Sequence, residues 1–559
     1  MILDFNADWR FYKADGSCRT VHLPHDAMLE EPRQENCQNG KDCGYFPGGK
    51  YAYEKTFSLP GEHLNEALTF LFEGVYQNAV VYLNGEKIAE HRYGYTEFTA
   101  DATGKVRAGE NTLRVTVDNS LEPNCRWYTG SGIYRPVHLM VKPKDGVRPV
   151  KIRTVSIAPA VVEVQTETEH AVVEIWDGAQ CVAKGAPGVI EIPQAKLWDA
   201  EHPNLYTCRA ELLDAAGQVL DCRETTFGFR TAEFKADGFY LNGKKTFLRG
   251  LNRHQSYPYI GYAAPESLQR NDARILKNEL HCNAVRTSHY PQSQHFLDEC
   301  DKLGLLVFTE LPGWQHIGDA AWKDRACEML REMIMQNRSH PSIILWGVRI
   351  NESVDDDEFY NRTNKIAHEL DPSRATSGVR YLEKSHLLED VYAYNDFSHN
   401  GMNAGAKRKR DVTPDMGKAL LISECNGHMY PTKPFDDAPH RQEHALRHAR
   451  VLNAAYADGE HAGCFGWCMF DYATHKDFGS GDRICYHGVL DSFRNPKLAA
   501  AVYASQGGGK PILTVSSTMD IGDSPAGQLG TVYVFTNAER VDLYKNDVFV
   551  TTLHKSDWT

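Results

Sequence analysis

Two glutamates close apolar segments that read as strands. Glu352 follows SIILWGVRIN, and Glu424 closes ALLISE. Both segments are near-continuous runs of branched and aliphatic residues, the composition of a strand buried on both faces. Counted along the chain, they are the fourth and seventh of eight such segments. In a closed barrel, strands four and seven face each other across the mouth, and reactive side chains gather at the C-terminal strand ends. Two opposed carboxyls are the apparatus for cutting a glycosidic bond. One gives a proton to the leaving oxygen; the other attacks the anomeric carbon or activates a water to do so. Either glutamate alone reads equally well as a solvated residue or an ion-pair partner. Two on one rim favour the catalytic reading.

Neighbouring residues suit a sugar. Asn351 precedes Glu352 and offers an amide to a hydroxyl. Arg286 and His289 follow the second strand in NAVRTSHYP. They can orient a carboxylate and bind hydroxyls, or form a structural ion pair. Trp467 lies in CFGWCMF, where an indole can stack on the apolar face of a pyranose or simply pack the core. Asn252 and His254 end the first strand in RGLNRHQ, and His254 also reads as a buried, satisfied histidine. Other chemistries lack their signatures: there is no GxGxxG after a strand, no Walker loop, no HExxH and no GxSxG elbow. The basic run 407–410 reads as a solvated loop.

The elements that must position these residues follow from periodicity. Between 233 and 507 the strand candidates TFLRGLN, NAVRTS, LLVFTE, SIILWGV, ATSGV, DVYAYN, ALLISE and CFGWCMF alternate with helical runs such as PESLQRNDARILKNEL and DEFYNRTNKIAHEL. That alternation predicts a (β/α)8 TIM barrel. Residues 1–145 alternate on a period of two between turn signals, which predicts a jelly-roll-like β-sandwich. Residues 146–232 have the size and strand pattern of an immunoglobulin-like sandwich. Strands return over 508–559, too few to close a sandwich, so this part reads as the start of a further, incomplete β-domain.

The chain has 559 residues and a net charge of −13, from 61 Lys and Arg against 74 Asp and Glu. An acidic chain gains nothing from a phosphate backbone, so no nucleic-acid partner is expected. No run approaches the ~20 apolar residues of a membrane span, and MILDFNADWRF carries no secretory pattern. The 14 cysteines show neither CxxC pairs nor zinc spacing, which predicts a reducing, cytoplasmic location without a metal or other cofactor.

Taken together, these segments resemble glycoside hydrolase family 2, which includes β-galactosidases, β-glucuronidases and β-mannosidases. NAVRTSHYP with FLDECDKLGLLVFTE is similar to the family's first signature, and NRSHPSIILWGVRINES to its second. SGIYRPV, FGFR and KTFLRGLNRHQ resemble further segments, in the same order over nearly the whole chain. Ser339 departs from the common Asn. The resemblance implies a sugar-binding-like first domain and a retaining exo-β-glycosidase acting on a terminal β-linked sugar. Glu352 would be acid/base and Glu424 nucleophile, with Asn351 on the 2-hydroxyl and Arg286, His289 and Trp467 lining the sugar subsite. Retention implies a carboxyl–carboxyl separation of roughly 5–5.5 Å. Family members are often dimers or tetramers, so a homo-oligomer is expected.

For the sugar, the Asn-x-Lys pair of the β-glucuronidases is replaced here by Cys485-Tyr486-His487, which favours a neutral β-galactoside. Arg349 supplies the alternative. A guanidinium turned into the site would pair with the carboxylate of a galacturonide or glucuronide; otherwise it pairs with a protein carboxylate such as Glu310. The family's active-site tyrosine corresponds to Phe397, and Tyr394 is the expected substitute. His487 and, from the first domain, Asn124 complete the expected sugar contacts. No magnesium ligand set is evident around Glu310. A non-catalytic sugar-binding scaffold is the remaining alternative, disfavoured by the presence of both glutamates.

Overall fold

The computed structural model describes residues 1–37, 40–121, 126–473, 484–517 and 530–555. Its first part is a sandwich of a four-stranded and a six-stranded antiparallel sheet. The period-two pattern is visible in burial: in Gly109–Asp118 the side chains of Asn111, Leu113, Val115 and Val117 are buried and the alternating residues are not. Leu113, Val115 and Val117 meet Trp9, Phe11, Phe70 and Phe72 in one apolar core. The second sandwich pairs a three-stranded with a four-stranded sheet around Val162, Val173, Cys208 and Phe227.

The barrel closes with eight parallel strands. They are β1 (Leu248–Arg253), β2 (Ala284–Thr287), β3 (Leu306–Glu310), β4 (Ile343–Arg349), β5 (Ala375–Arg380), β6 (Val391–Asn395), β7 (Ala419–Glu424) and β8 (His461–Gly466). All seven residues of β4 are buried, as expected for a strand covered by helices outside and side chains inside. The expected helical runs form Glu266–Arg274 and Asp357–Leu370. Among the described residues no helix follows β5 before β6. The eighth strand starts earlier than CFGWCMF suggests and ends at Gly466, so Trp467 stands just beyond it.

The barrel floor is plugged from the preceding part of the chain. Trp198, Phe239 and Leu241 pack under Leu248, Leu306, Leu345 and Phe465, and the Trp198 indole donates to the Asp301 carbonyl at 2.8 Å. With its floor sealed, the barrel opens at the C-terminal strand ends. The run 407–410 is not simply solvated. Lys409 is buried and its ammonium caps the carbonyls of Ala236 and Met416, because the loop folds back under the barrel. Two antiparallel strand pairs complete the described chain: Leu513–Val515 with Val534–Thr536, and Arg540–Lys545 with Val548–His554.

Candidate active site

Arg286, on β2, organises the barrel mouth. It is fully buried, and its five N–H groups are all used. Nε and Nη2 donate to the two oxygens of Glu310 at 3.0 and 2.7 Å. Nη1 donates to Glu424 Oε1 at 2.6 Å and to Asn252 Oδ1 at 2.8 Å. The second Nη2 hydrogen reaches Asn351 Oδ1 at 3.0 Å. Two consequences follow. Asn351 must turn its NH₂ away from Arg286, so its donors are available to a ligand. His289 Nδ1 lies 3.1 Å from both Arg286 Nη2 and Glu310 Oε1. With no Nη2 hydrogen left for it, the imidazole donates from Nδ1 to Glu310 and keeps its lone pair on Nε2.

Glu424, at the end of β7, is buried, with 5% of its surface exposed. Burial pushes its carboxyl up to about 8; Arg286 pulls against this, and Glu352 adds to it by charge repulsion. The direct Arg286 contact works the other way and favours the anion at Glu424.

Glu352 is half-buried and follows β4 with φ of 53°, in the left-handed region that side chains rarely adopt. The strain is held in place by three donors. Trp314 Nε1 and Gln315 Nε2 reach Oε2 at 2.7 and 3.2 Å, and Asn395 Nδ2 reaches Oε1 at 2.9 Å. Trp314 and Gln315, from the loop after β3, are clamped by the first sandwich. Arg126 lies 3.8 Å from the Trp314 ring centre and donates to Gln315 Oε1.

The aromatic wall is made by Trp467, Trp314, His289 and His254. His289 stacks between Trp467 (5.3 Å, 16°) and Trp314 (5.7 Å, 24°). Trp467 Nε1 donates to the Tyr472 hydroxyl at 3.1 Å, and that hydroxyl lies 3.2 Å from His487 Nδ1. His254 bonds to the Tyr290 hydroxyl at 2.8 Å. Burial, reinforced by nearby cations, holds His254 and His289 well below the usual imidazole range, so both are neutral. Trp127, from the first sandwich, packs 5.6 Å from His289.

Thus Glu352, Glu424, Asn351, Arg286, His289, Trp467 and His254 share one linked cluster, which His487 joins through Tyr472. Asn124 lies outside the described residues. Two expectations are corrected. Tyr394 does not reach the site. Val391 and Ala393 face the barrel interior, so alternation turns Tyr392 and Tyr394 outward, against Val412 and Leu420. Asn395, the next inward residue, is the one beside Glu352; reading the alternation from Val391 would have found it. Phe397 packs edge-on against His428 at 4.2 Å. Arg349 is also turned outward. It donates to Asp355 at 2.7 Å and to the Ser353 carbonyl at 3.1 Å, and lies over Tyr360 of the covering helix. Its carboxylate partner is thus Asp355, and Glu310 belongs to Arg286. Replacing Arg349 by Met should cost about 2 kcal/mol, the scale of a charge-assisted hydrogen bond. It should leave the ratio of galactoside to galacturonide hydrolysis unchanged. Thermal melts and paired rate assays check both; a tenfold change in the ratio would return Arg349 to the sugar site.

Among the described residues, one His and carboxylate group has ligand-like spacing: Asp298, Asp301 and His340. It lies away from the mouth, and Asp301 already bonds to His340 Nδ1 at 2.6 Å.

A barrel with two carboxylates at facing strand ends, an arginine hub and an aromatic wall defines a glycosidase site. Comparison with known proteins agrees. Residues 232–506 match the family model described as glycosyl hydrolases family 2, TIM barrel domain. Residues 138–230 match glycosyl hydrolases family 2, and 17–148 match the glycosyl hydrolase 2 galactose-binding domain-like model. The chain is 43% identical to a beta-galactosidase of Thermoanaerobacterium thermosulfurigenes, over 97% of this chain and 81% of the relative. It is 40% identical to a beta-galactosidase of Thermoanaerobacter pseudethanolicus, over 98% and 78%. Among solved structures, an FMN-binding beta-glucuronidase from Facaelibacterium prausnitzii L2-6 superposes with a TM-score of 0.85 at 25% identity, covering 99% of this chain and 93% of that one. The chain belongs to glycoside hydrolase family 2. It is a glycoside hydrolase that acts on β-linked sugars.

Proposed function

We propose that the chain is a retaining exo-β-galactosidase in which Glu424 is the nucleophile and Glu352 the acid/base. Glu424 attacks the anomeric carbon while Glu352 passes its proton to the departing oxygen, and the C1–O bond breaks to leave a glycosyl ester on Glu424. A water then loses its proton to Glu352 and attacks the same carbon, freeing Glu424 and restoring both groups. Asn351 donates to the 2-hydroxyl, where hydrogen bonds strengthen as charge develops. Trp467 packs against the sugar's apolar face, with His289, His254 and His487 around the hydroxyls.

The observation that carries the neutral-sugar reading is Arg349. It is occupied by Asp355 and turned from the mouth, so the residue that would have held a uronate carboxylate is elsewhere. The absence of lysine in Cys485-Tyr486-His487 and the two beta-galactosidase relatives support the same choice. The test is hydrolysis of matched nitrophenyl β-galactoside, β-galacturonide and β-glucuronide at neutral pH, with Glu424→Gln as the blank. The galactoside should be preferred; a preference for either uronide overturns the assignment.

The same reading includes the division into 1–145, 146–232, 233–507 and 508–559, and homo-oligomeric assembly, as the family resemblance implies. It also includes a cytoplasmic location, supported by the unbridged state of the described cysteines. No helix among the described residues is long and apolar enough to cross a membrane.

A further inference from the structure

Glu310 has no role in the two-carboxylate chemistry, yet it is buried at the mouth with 1% of its surface exposed. It takes two of the five Arg286 donors in a fork, while Glu424 takes one. One guanidinium therefore serves two buried carboxylates. Taken as charges, the three groups sum to minus one when Glu424 is ionised. Without Glu310 the sum would be zero, and the cation would fall wholly on Glu424.

We infer that Glu310 is a positioning residue. By holding one side of Arg286, it limits the guanidinium's grip on Glu424 and leaves a net negative charge beneath the anomeric carbon. The inference rests on the reading of Glu424 as nucleophile. It has two physical consequences. A carboxylate neutralised by a fully committed arginine is a poorer nucleophile, because its electron pair is already engaged. The oxocarbenium-like transition state carries positive charge, and a preorganised anion stabilises it where water is excluded. Glu310 also accepts from His289 Nδ1, so it fixes the tautomer of one wall of the pocket.

Glu310→Gln tests this, because it keeps the shape and removes the charge. Glu310→Asp is the companion variant: it keeps the charge with a shorter reach. Both are compared with wild type for kcat and KM on the galactoside across pH, and for thermal melting. Glu310→Gln should lose about 10- to 100-fold in kcat, the scale of one preorganised electrostatic contact, with KM little changed. Its pH–rate profile should shift to lower pH. Glu310 now repels the charge on Glu424, and removing that repulsion lets Glu424 ionise more easily. Glu310→Asp should stay closer to wild type in kcat and keep the wild-type profile.

A Glu310→Gln enzyme with a lowered melting point but an unmoved profile overturns the inference, because a purely structural role predicts that pattern. So does a Glu310→Asp enzyme as impaired as Glu310→Gln. If Glu310→Gln fails to fold, the position of the Glu310→Asp profile decides alone: a profile moved to lower pH overturns the inference. Glu424→Gln separates this from the reading beneath it. Turnover surviving there removes the nucleophile assignment itself, whereas an inactive Glu424→Gln beside an unmoved Glu310→Gln profile removes only the role of Glu310.

Discussion

Glu424→Gln loses turnover by on the order of 10⁴- to 10⁶-fold, the scale seen when a covalent nucleophile is removed, while galactose binding persists. The amide is nearly isosteric and can still accept from Arg286 Nη1, which now donates to Glu424 at 2.6 Å. The pocket therefore keeps its shape and its hydroxyl contacts. What disappears is the anion that forms the glycosyl ester. Calorimetric binding of galactose, run beside the rate assay, separates the two. An enzyme that loses both has a damaged pocket; an enzyme that keeps turnover has its nucleophile elsewhere.

The second large effect belongs to Glu352 and depends on the leaving group. Glu352→Ala should slow hydrolysis of alkyl galactosides by about 10²- to 10⁴-fold, the usual contribution of a positioned acid or base. Dinitrophenyl galactoside leaves without a proton, so its first step should be nearly unaffected. Azide, which needs no base, should restore turnover and give β-galactosyl azide. A uniform loss across leaving groups would show instead that Glu352 is structural. In the wild-type enzyme the nucleophile sets a pH limit. Glu424, whose carboxyl burial raises to about 8, must be ionised to attack the sugar. Activity should therefore rise as pH climbs toward about 8 and the ionised fraction of Glu424 grows.

Much of this site is legible in the sequence, for a physical reason. A parallel barrel strand is covered on both faces, so β3 and β7 appear as apolar runs ending abruptly in a glutamate at the mouth, while β4 ends in the outward-turned Arg349 and its glutamate follows three residues later. Glu352 and Glu424 stand out in the sequence because each follows such an apolar run, whereas Glu310 reads there only as a possible ion-pair partner. The limit appears where direction matters more than position. In β6 every residue from Val391 to Asn395 is buried, so burial alone does not tell the inside of the barrel from the layer beneath the helices. Tyr394 and Asn395 are adjacent and both plausible; only Asn395 faces the site. The strand pairing also shifts register near the end of β4, so counting residues from Trp346 mis-aims Arg349.

Contacts across the chain were harder still. Gln315 and Trp314 sit in a loop without periodicity, and the arginine above them comes from the first sandwich, almost two hundred residues earlier. Arg126 and Trp127 are visible in the sequence as a polar-aromatic pair, but nothing local says that they meet the loop after β3. The trio of Arg286, Glu310 and Glu424 is of the same kind. Each member marks a strand end, while the sharing of one guanidinium is a property of barrel closure.

A nucleophilic Glu424 carries the sugar during turnover. A galactosyl donor with fluorine at C2 and an activated leaving group slows the second step and accumulates the ester. Treating the enzyme with such a donor, digesting it and sequencing the labelled peptide by mass spectrometry reads the attachment point directly. One 2-fluorogalactosyl group is expected on the peptide spanning Ala419–Glu424, placed on Glu424. A label on Glu352 or Glu310, or undiminished turnover with no label at all, would contradict it.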